Sequence, residues 1–199
     1  MDLFEAWPKT ARGFGPALYT EKLDGSNVAV IFERRYGTEA FADMNNVVIK
    51  DTNTDELFII HVAAQTRTQM AFIEDDQVGI ARWVADRKYS LVRDLYNFNR
   101  GADLERHYGE YVKGKGLKVP HVFLFNAYRW RDAEFLTEGL SVVPVLYEGE
   151  HSYEQLTDTL RDLELNGSRV LDSPAEGVIV FHKNDKTGRK YFCKGQGRK

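Results

Sequence analysis

A lysine two residues ahead of an aspartate, in Glu21-Lys22-Leu23-Asp24-Gly25-Ser26-Asn27, is the first stretch of this chain where side chains can do covalent chemistry. The lysine lies at the end of an apolar run over residues 16–23, and a second run follows the turn over residues 28–32. A lysine at a sheet edge beside a phosphate site can lose its proton and act as a nucleophile. The same residues also read as a plain hairpin, because Asp-Gly-Ser-Asn is strong turn chemistry. Four residues alone do not choose between the two, so the remaining motifs have to decide.

Five further groups bear on the choice. Arg67 follows an apolar run ending at Ala64; a loop arginine there can reach a phosphate or hydroxyl, or simply face water. Glu110 sits in His107-Tyr108-Gly109-Glu110-Tyr111, ahead of a loop with Lys113, Gly114, Lys115 and Gly116. Such a carboxylate can accept from sugar hydroxyls, or be an ordinary strand glutamate. Phe125, in Phe123-Leu124-Phe125-Asn126-Ala127-Tyr128-Arg129-Trp130, is either core or a platform for a flat base, a contact contributing ~1–3 kcal/mol. Glu176 stands before the buried run Gly177-Val178-Ile179-Val180-Phe181, where it can bind a hard divalent cation or occupy a turn. Lys190, Phe192 and Lys194 share one face under strand alternation. Two lysines on one face repel unless they share an anion such as a triphosphate, or are solvated on an edge strand.

The elements that must position these groups are legible in outline. Strand-like runs cover residues 18–23, 28–34, 39–42, 47–49, 58–63, 122–127, 142–146, 177–182 and 189–194. Ile80, Trp83, Val84, Leu91, Leu95 and Phe98 predict a helix over residues 79–99, stopped near Gly101. Ser152 and Gln155 predict a capping box, with Leu156, Leu160 and Leu163 on one face and Gly167 as the stop. This order predicts an α+β fold of antiparallel sheets with flanking helices, not a doubly wound parallel one.

Composition narrows the class. The 199 residues are 43% hydrophobic and 29% charged, which suits a soluble globular chain with a substantial core. One cysteine, Cys193, excludes an internal disulfide framework or a multi-cysteine zinc site. No apolar run reaches membrane-spanning length, and Met1-Asp2-Leu3-Phe4-Glu5 lacks a signal peptide's basic start, so the expected setting is a cytosol or a virus-infected cell, with no membrane partner. The net charge of −3 argues against nucleic-acid binding by bulk charge, yet Lys and Arg crowd residues 183–199 and the 113–118 loop. Each cluster flanks a motif that needs phosphate contacts.

Taken in order, these motifs resemble those of the ATP-dependent RNA ligase family, within the covalent nucleotidyltransferases, and cover the chain from about Leu18 onward. Asp75 to Val84 is similar to a connecting segment of small phage and bacterial members. The resemblance implies an ATP-grasp-like adenylation domain. It implies that Lys22 attacks the ATP α-phosphate to form lysyl-AMP, that AMP moves to a 5′-phosphate, and that a 3′-hydroxyl then seals the strand. It implies that Asp24 organises the lysine and metal hydration, and that Glu21 and Asn27 surround the nucleotide. In the same way Arg67 would contact the strand offering the 3′-hydroxyl, Glu110 the ribose and Phe125 the adenine. Glu176 would attend Mg²⁺ or Mn²⁺, and Lys190 and Lys194 the phosphates. A lysine must be neutral to attack, which a reference pKa of about 10.4 makes rare at pH 7; neighbouring cations favour the free amine.

Three departures qualify the resemblance. Phe192 stands where the family has the first of its closing lysines, and Gln69 where related proteins often carry a second arginine. The chain also stops soon after the last motif. The expectation is therefore a single nucleotidyltransferase domain over residues 1–199 without an OB-fold: a minimal ligase, or one whose accessory protein supplies the RNA, or DNA, binding. Related alternatives are a DNA nick ligase and a GTP-using capping-type guanylyltransferase. A nucleotide-binding module that has lost catalysis, or a β-rich adaptor, would be a different class.

Overall fold

The structure is a computed structural model that describes residues 15–35, 45–50, 57–96, 103–184 and 186–196. In chain order the first strands are β1 (Pro16–Lys22), β2 (Ser26–Arg35), β3 (Asn46–Lys50), β4 (Leu57–Thr66) and β5 (Met70–Ala71), followed by helix α1 (Ile80–Leu95). Then come β6 (Leu104–Val112), β7 (His121–Leu124), the short helix α2 (Ala127–Trp130), β8 (Leu140–Val142) and β9 (Val145–Glu150). Helix α3 (Tyr153–Asn166), β10 (Gly177–His182) and β11 (Thr187–Phe192) close the series. The chain divides into two compact units, Met1–Lys22 with Pro144–Lys199, and Leu23–Val143.

The first unit holds a four-stranded antiparallel sheet in the order β11-β10-β1-β9. Strand alternation in β1 sends Ala17, Tyr19 and Glu21 to one face and Leu18, Thr20 and Lys22 to the other. Helix α3 covers the first of these faces, packing Leu156 and Leu163 with Ala17, Tyr19, Val178 and Val180. Ser152 caps α3 by accepting from the Gln155 N–H at 3.0 Å, and Gly167 ends it. The capping box is only half formed, because the Gln155 amide turns forward to Thr159 Oγ1 at 3.3 Å.

The second unit holds a sheet in the order β3-β4-β2-β6-β7-β8, with β5 paired to β4. Helix α1 packs Ile80, Trp83, Val84, Leu91 and Leu95 against Val28, Val30 and Phe32 of β2. Asp76 caps it, accepting from the N–H groups of Gly79, Ile80 and Arg82 at 2.7–3.0 Å. The mixed α+β class is as expected. One pairing is not antiparallel, however: β8 runs parallel to β7, because the connection through α2 returns the chain in the same direction.

The residues explain where reading by pattern fell short. Strand β6 was not among the expected strands, since the residues it turns inward at its start are Glu105 and His107 rather than apolar ones. They lie against each other, His107 Nε2 3.3 Å from Glu105 Oε2, and the Arg129 guanidinium comes within 3.5 Å of the same carboxylate. The aromatic run 122–127 stops as a strand at Leu124, because Asn126 caps α2 by accepting from the Arg129 N–H at 3.0 Å. Helix α1 runs to Leu95; Phe98, Gly101 and the 39–42 run lie outside the described residues. Among the described residues no helix is long and apolar enough to cross a membrane.

Candidate active site

In the first unit, Lys22 closes β1 opposite Gly177 of β10, and Gly177 in turn lies opposite Phe192 of β11. A glycine is required in the middle of this row, because a Cβ there would overlap the Tyr191 carbonyl and approach the Phe192 Cα to 2.9 Å. The Lys22 ammonium is ion-paired with Glu176, and both side chains are mostly shielded, 17% and 18% exposed. Its Nζ lies 5.4 Å from the centroid of the Phe192 ring. Phe192 is thus a neighbour of the lysine, a contact that pattern alone registered only as a departure.

Lys190 lies on the same face one row further along, opposite Ile179, which faces Thr20. Strand β11 ends at Phe192, so Lys194 lies beyond it, with its N–H held by Glu164 Oε1 at 2.8 Å. Both lysines are exposed, and among the described residues neither side chain has a hydrogen bond or ion pair. Cys193 points inward, and burial, then Glu164 and Glu21, push its thiol pKa up, which disfavours a reactive thiolate.

Glu21 is not brought to Lys22. Adjacent strand residues face opposite ways, so Glu21 enters the α3 side of the sheet, where it is 2% exposed. Its Oε2 accepts from the Arg169 N–H at 2.9 Å, while Oε1 has no hydrogen-bond partner. Its visible role is to hold the 168–170 segment, where Ser168 Oγ also accepts from the N–H groups of Val170 and Leu171.

In the second unit, Asn27 and Glu110 are direct cross-strand partners on β2 and β6. The Asn27 amide donates to Glu110 Oε2 at 2.6 Å, and Glu110 is 5% exposed. Glu110 also faces Phe123 on β7. Phe123 is buried, whereas Phe125, just past the strand, is 43% exposed with its N–H bonded to the Tyr108 carbonyl at 2.9 Å. An aromatic ring held by its backbone yet open to water is what a stacking platform requires.

Asp24 is engaged by a residue outside its own motif. Lys115 Nζ donates to both the Asp24 carbonyl and its Oδ2, each at 2.7 Å. Gly114, Lys115 and Gly116 all have positive φ, which curls this loop back toward the Asp24 turn. Gly25 lets that turn lie against β6: a Cβ there would come within 2.5 Å of the Tyr111 carbonyl and 2.9 Å of Val112 Cγ2. The basic loop was visible in the sequence; its partner was not. Arg67 lies exposed in the tight turn between β4 and β5, closed by the Thr66 N–H bonding the Gln69 carbonyl at 2.8 Å.

The donor set bears on a metal. Among the described residues no three His, Cys, Asp or Glu side chains gather as a cage. A single shielded carboxylate such as Glu176 fits the alternative, since Mg²⁺ is commonly held by one or two carboxylates together with waters and substrate phosphates.

The RNA ligase family matches this chain over residues 15–194. No curated protein matches it. Among solved structures, a Naegleria gruberi RNA ligase variant with ATP and Mn is similar at 18% identity and a TM-score of 0.54, over 90% of this chain and 50% of that one. The Naegleria gruberi RNA ligase with pyrophosphate is similar at 18% identity and a TM-score of 0.53, over the same shares. This likeness is one of fold, and the chain spans half the length of those structures.

Proposed function

Because this chain belongs to the RNA ligase family, we propose that it is an ATP-dependent RNA-joining enzyme that carries AMP on Lys22. The observation that carries the reading is the Lys22 amine held against Glu176 at the end of β1, on the face that also presents Lys190. ATP and Mn accompany one similar structure and pyrophosphate another, which supports ATP and a divalent ion as the reactants' company here.

In this reading the neutral Lys22 amine attacks the α-phosphorus. A nitrogen–phosphorus bond forms, the bond to the β-phosphate oxygen breaks, pyrophosphate leaves with that electron pair, and the lysine proton passes to solvent. Lys190 and Lys194 offset charge on the departing pyrophosphate. A bound Mg²⁺ or Mn²⁺ would neutralise triphosphate charge, with Glu176 as its protein ligand. Glu110, steadied by Asn27, accepts from the ribose hydroxyls, and Phe125 stacks on adenine. Asp24, gripped by Lys115, orders the turn after the nucleophile, and Glu21 acts at one remove through the segment it holds. AMP then passes to a 5′-phosphate, and a 3′-hydroxyl guided by Arg67 displaces it. The two units would serve as one nucleotidyltransferase domain.

Intact-mass measurement after incubation with ATP and Mg²⁺ tests the reading. The wild-type chain should gain one AMP and Lys22→Ala none. An adduct that survives Lys22→Ala overturns the nucleophile. An adduct with GTP but not ATP points to a capping-type enzyme, and no adduct at all to a lapsed binding module.

A further inference from the structure

A cleft of about 370 Å³ opens in the Leu23–Val143 unit, and none of the site residues named above lines it. We infer that this cleft takes one unstacked base of the RNA strand whose backbone meets Arg67. The inference rests on the chain acting on RNA ends.

The cleft exists because small side chains converge. Ala63 on β4, Ala71 on β5 and Ala81 on α1 form its walls, where longer residues would close it. The volume falls in the range of small-molecule clefts, about 300–1,000 Å³, which is too roomy for an ion. At its lip stands Phe72, 61% exposed, beside Met70, 41% exposed. A phenyl ring left in water at the mouth of a slot walled by alanines is a stacking surface for a flat heterocycle. The polar groups of the lining are mixed: Arg35, anchored by Glu33 at 2.9 Å, supplies donors and Glu74 an acceptor. A base edge, which carries donors and acceptors side by side, suits that mixture better than a lipid or an anion does.

Chain continuity points to the same strand. The turn that exposes Arg67 runs directly into β5, so the phosphate-seeking arginine and the slot are built by one short segment, residues 67–74. Guanidinium on phosphate with a neighbouring base stacked on an aromatic ring is the pairing that single-strand binding uses.

Fluorescence anisotropy with a labelled, 5′-phosphorylated single-stranded RNA tests this with the full chain. Phe72→Ala should weaken binding about 10-fold, with the salt dependence of the affinity unchanged, because no phosphate contact is lost. Ala71→Leu, which fills the slot and removes nothing, should weaken it similarly. Arg67→Ala should weaken binding and flatten the salt dependence by about one ion. An RNA with one abasic position should bind the wild type as poorly as the intact RNA binds Phe72→Ala. Affinities of both slot variants within about twofold of wild type would overturn the inference, as would an effect of Phe72→Ala confined to self-association in sedimentation. ATP adduct formation by the wild type is measured alongside; its failure would sink the nucleotide reading while the RNA titration still decides the slot.

Discussion

Lys22 and Glu176 meet because their strands are antiparallel neighbours: Lys22 ends β1, and Glu176 directly precedes Gly177, the β10 residue opposite Lys22. Backbone register, not a flexible loop, therefore brings the amine and the carboxylate together. The same register places the Phe192 ring over the ammonium from the next strand.

Glu176→Gln keeps the shape and removes the charge. Adduct formation with ATP should fall about 10- to 100-fold, as when a residue supporting a metal is lost. The urea midpoint should fall only moderately, since Lys22 loses the partner of a mostly but not fully shielded pair. A large drop in midpoint with an unchanged adduct rate would make Glu176 a structural residue.

Glu110→Ala removes an acceptor from a nearly closed position next to Asn27. Hydrogen bonds to a charged group contribute about 1.5–3 kcal/mol, so the ATP concentration for half-maximal adduct should rise roughly 10- to 100-fold. Yield at saturating ATP should be kept, because such contacts serve binding more than the chemical step. A lost yield with unchanged half-saturation would contradict the ribose assignment.

The first unit should lose stability at both ends of the pH scale through two neighbouring groups, Tyr19 and His151, whose Oη and Nδ1 lie 2.6 Å apart. Burial, then the neighbouring His182 and Arg189, hold the His151 pKa below its ordinary value. The unfolded chain therefore takes up a proton first as pH falls below about 6.5, and stability declines from there through the folded-state value. Burial is also the main cause that pushes Tyr19 up to about 12. Its contribution is complete below the unfolded value near 10 and is lost as pH rises toward 12. Urea midpoints from pH 5 to 11 should show both limbs, and His151→Gln should flatten the acid one. An acid limb of equal slope in that variant would assign it to other groups.

Much of the candidate site was legible because its determinants are local. The turn chemistry of Asp24-Gly25, the apolar run after Glu176, the face shared by Lys190 and Phe192, and the stripe of α1 each follow from neighbours in the chain. Strand β6 was hidden because its inward residues at the start, Glu105 and His107, are polar and carry no apolar alternation. Glu21 drew notice through its place beside Lys22, although that adjacency is what turns it to the other face.

The residue types by themselves determined the family to which this chain belongs, the RNA ligases, and the order along it of a lysine, carboxylates, an aromatic and further lysines. Only the tertiary structure decided which groups touch: Glu176 and Phe192 on Lys22, Lys115 on Asp24, and the alanines that leave a slot behind Phe72. Periodicity reports which way a side chain faces along its own strand. Which strand lies beside it is set by pairing between distant segments, and no local pattern encodes that register.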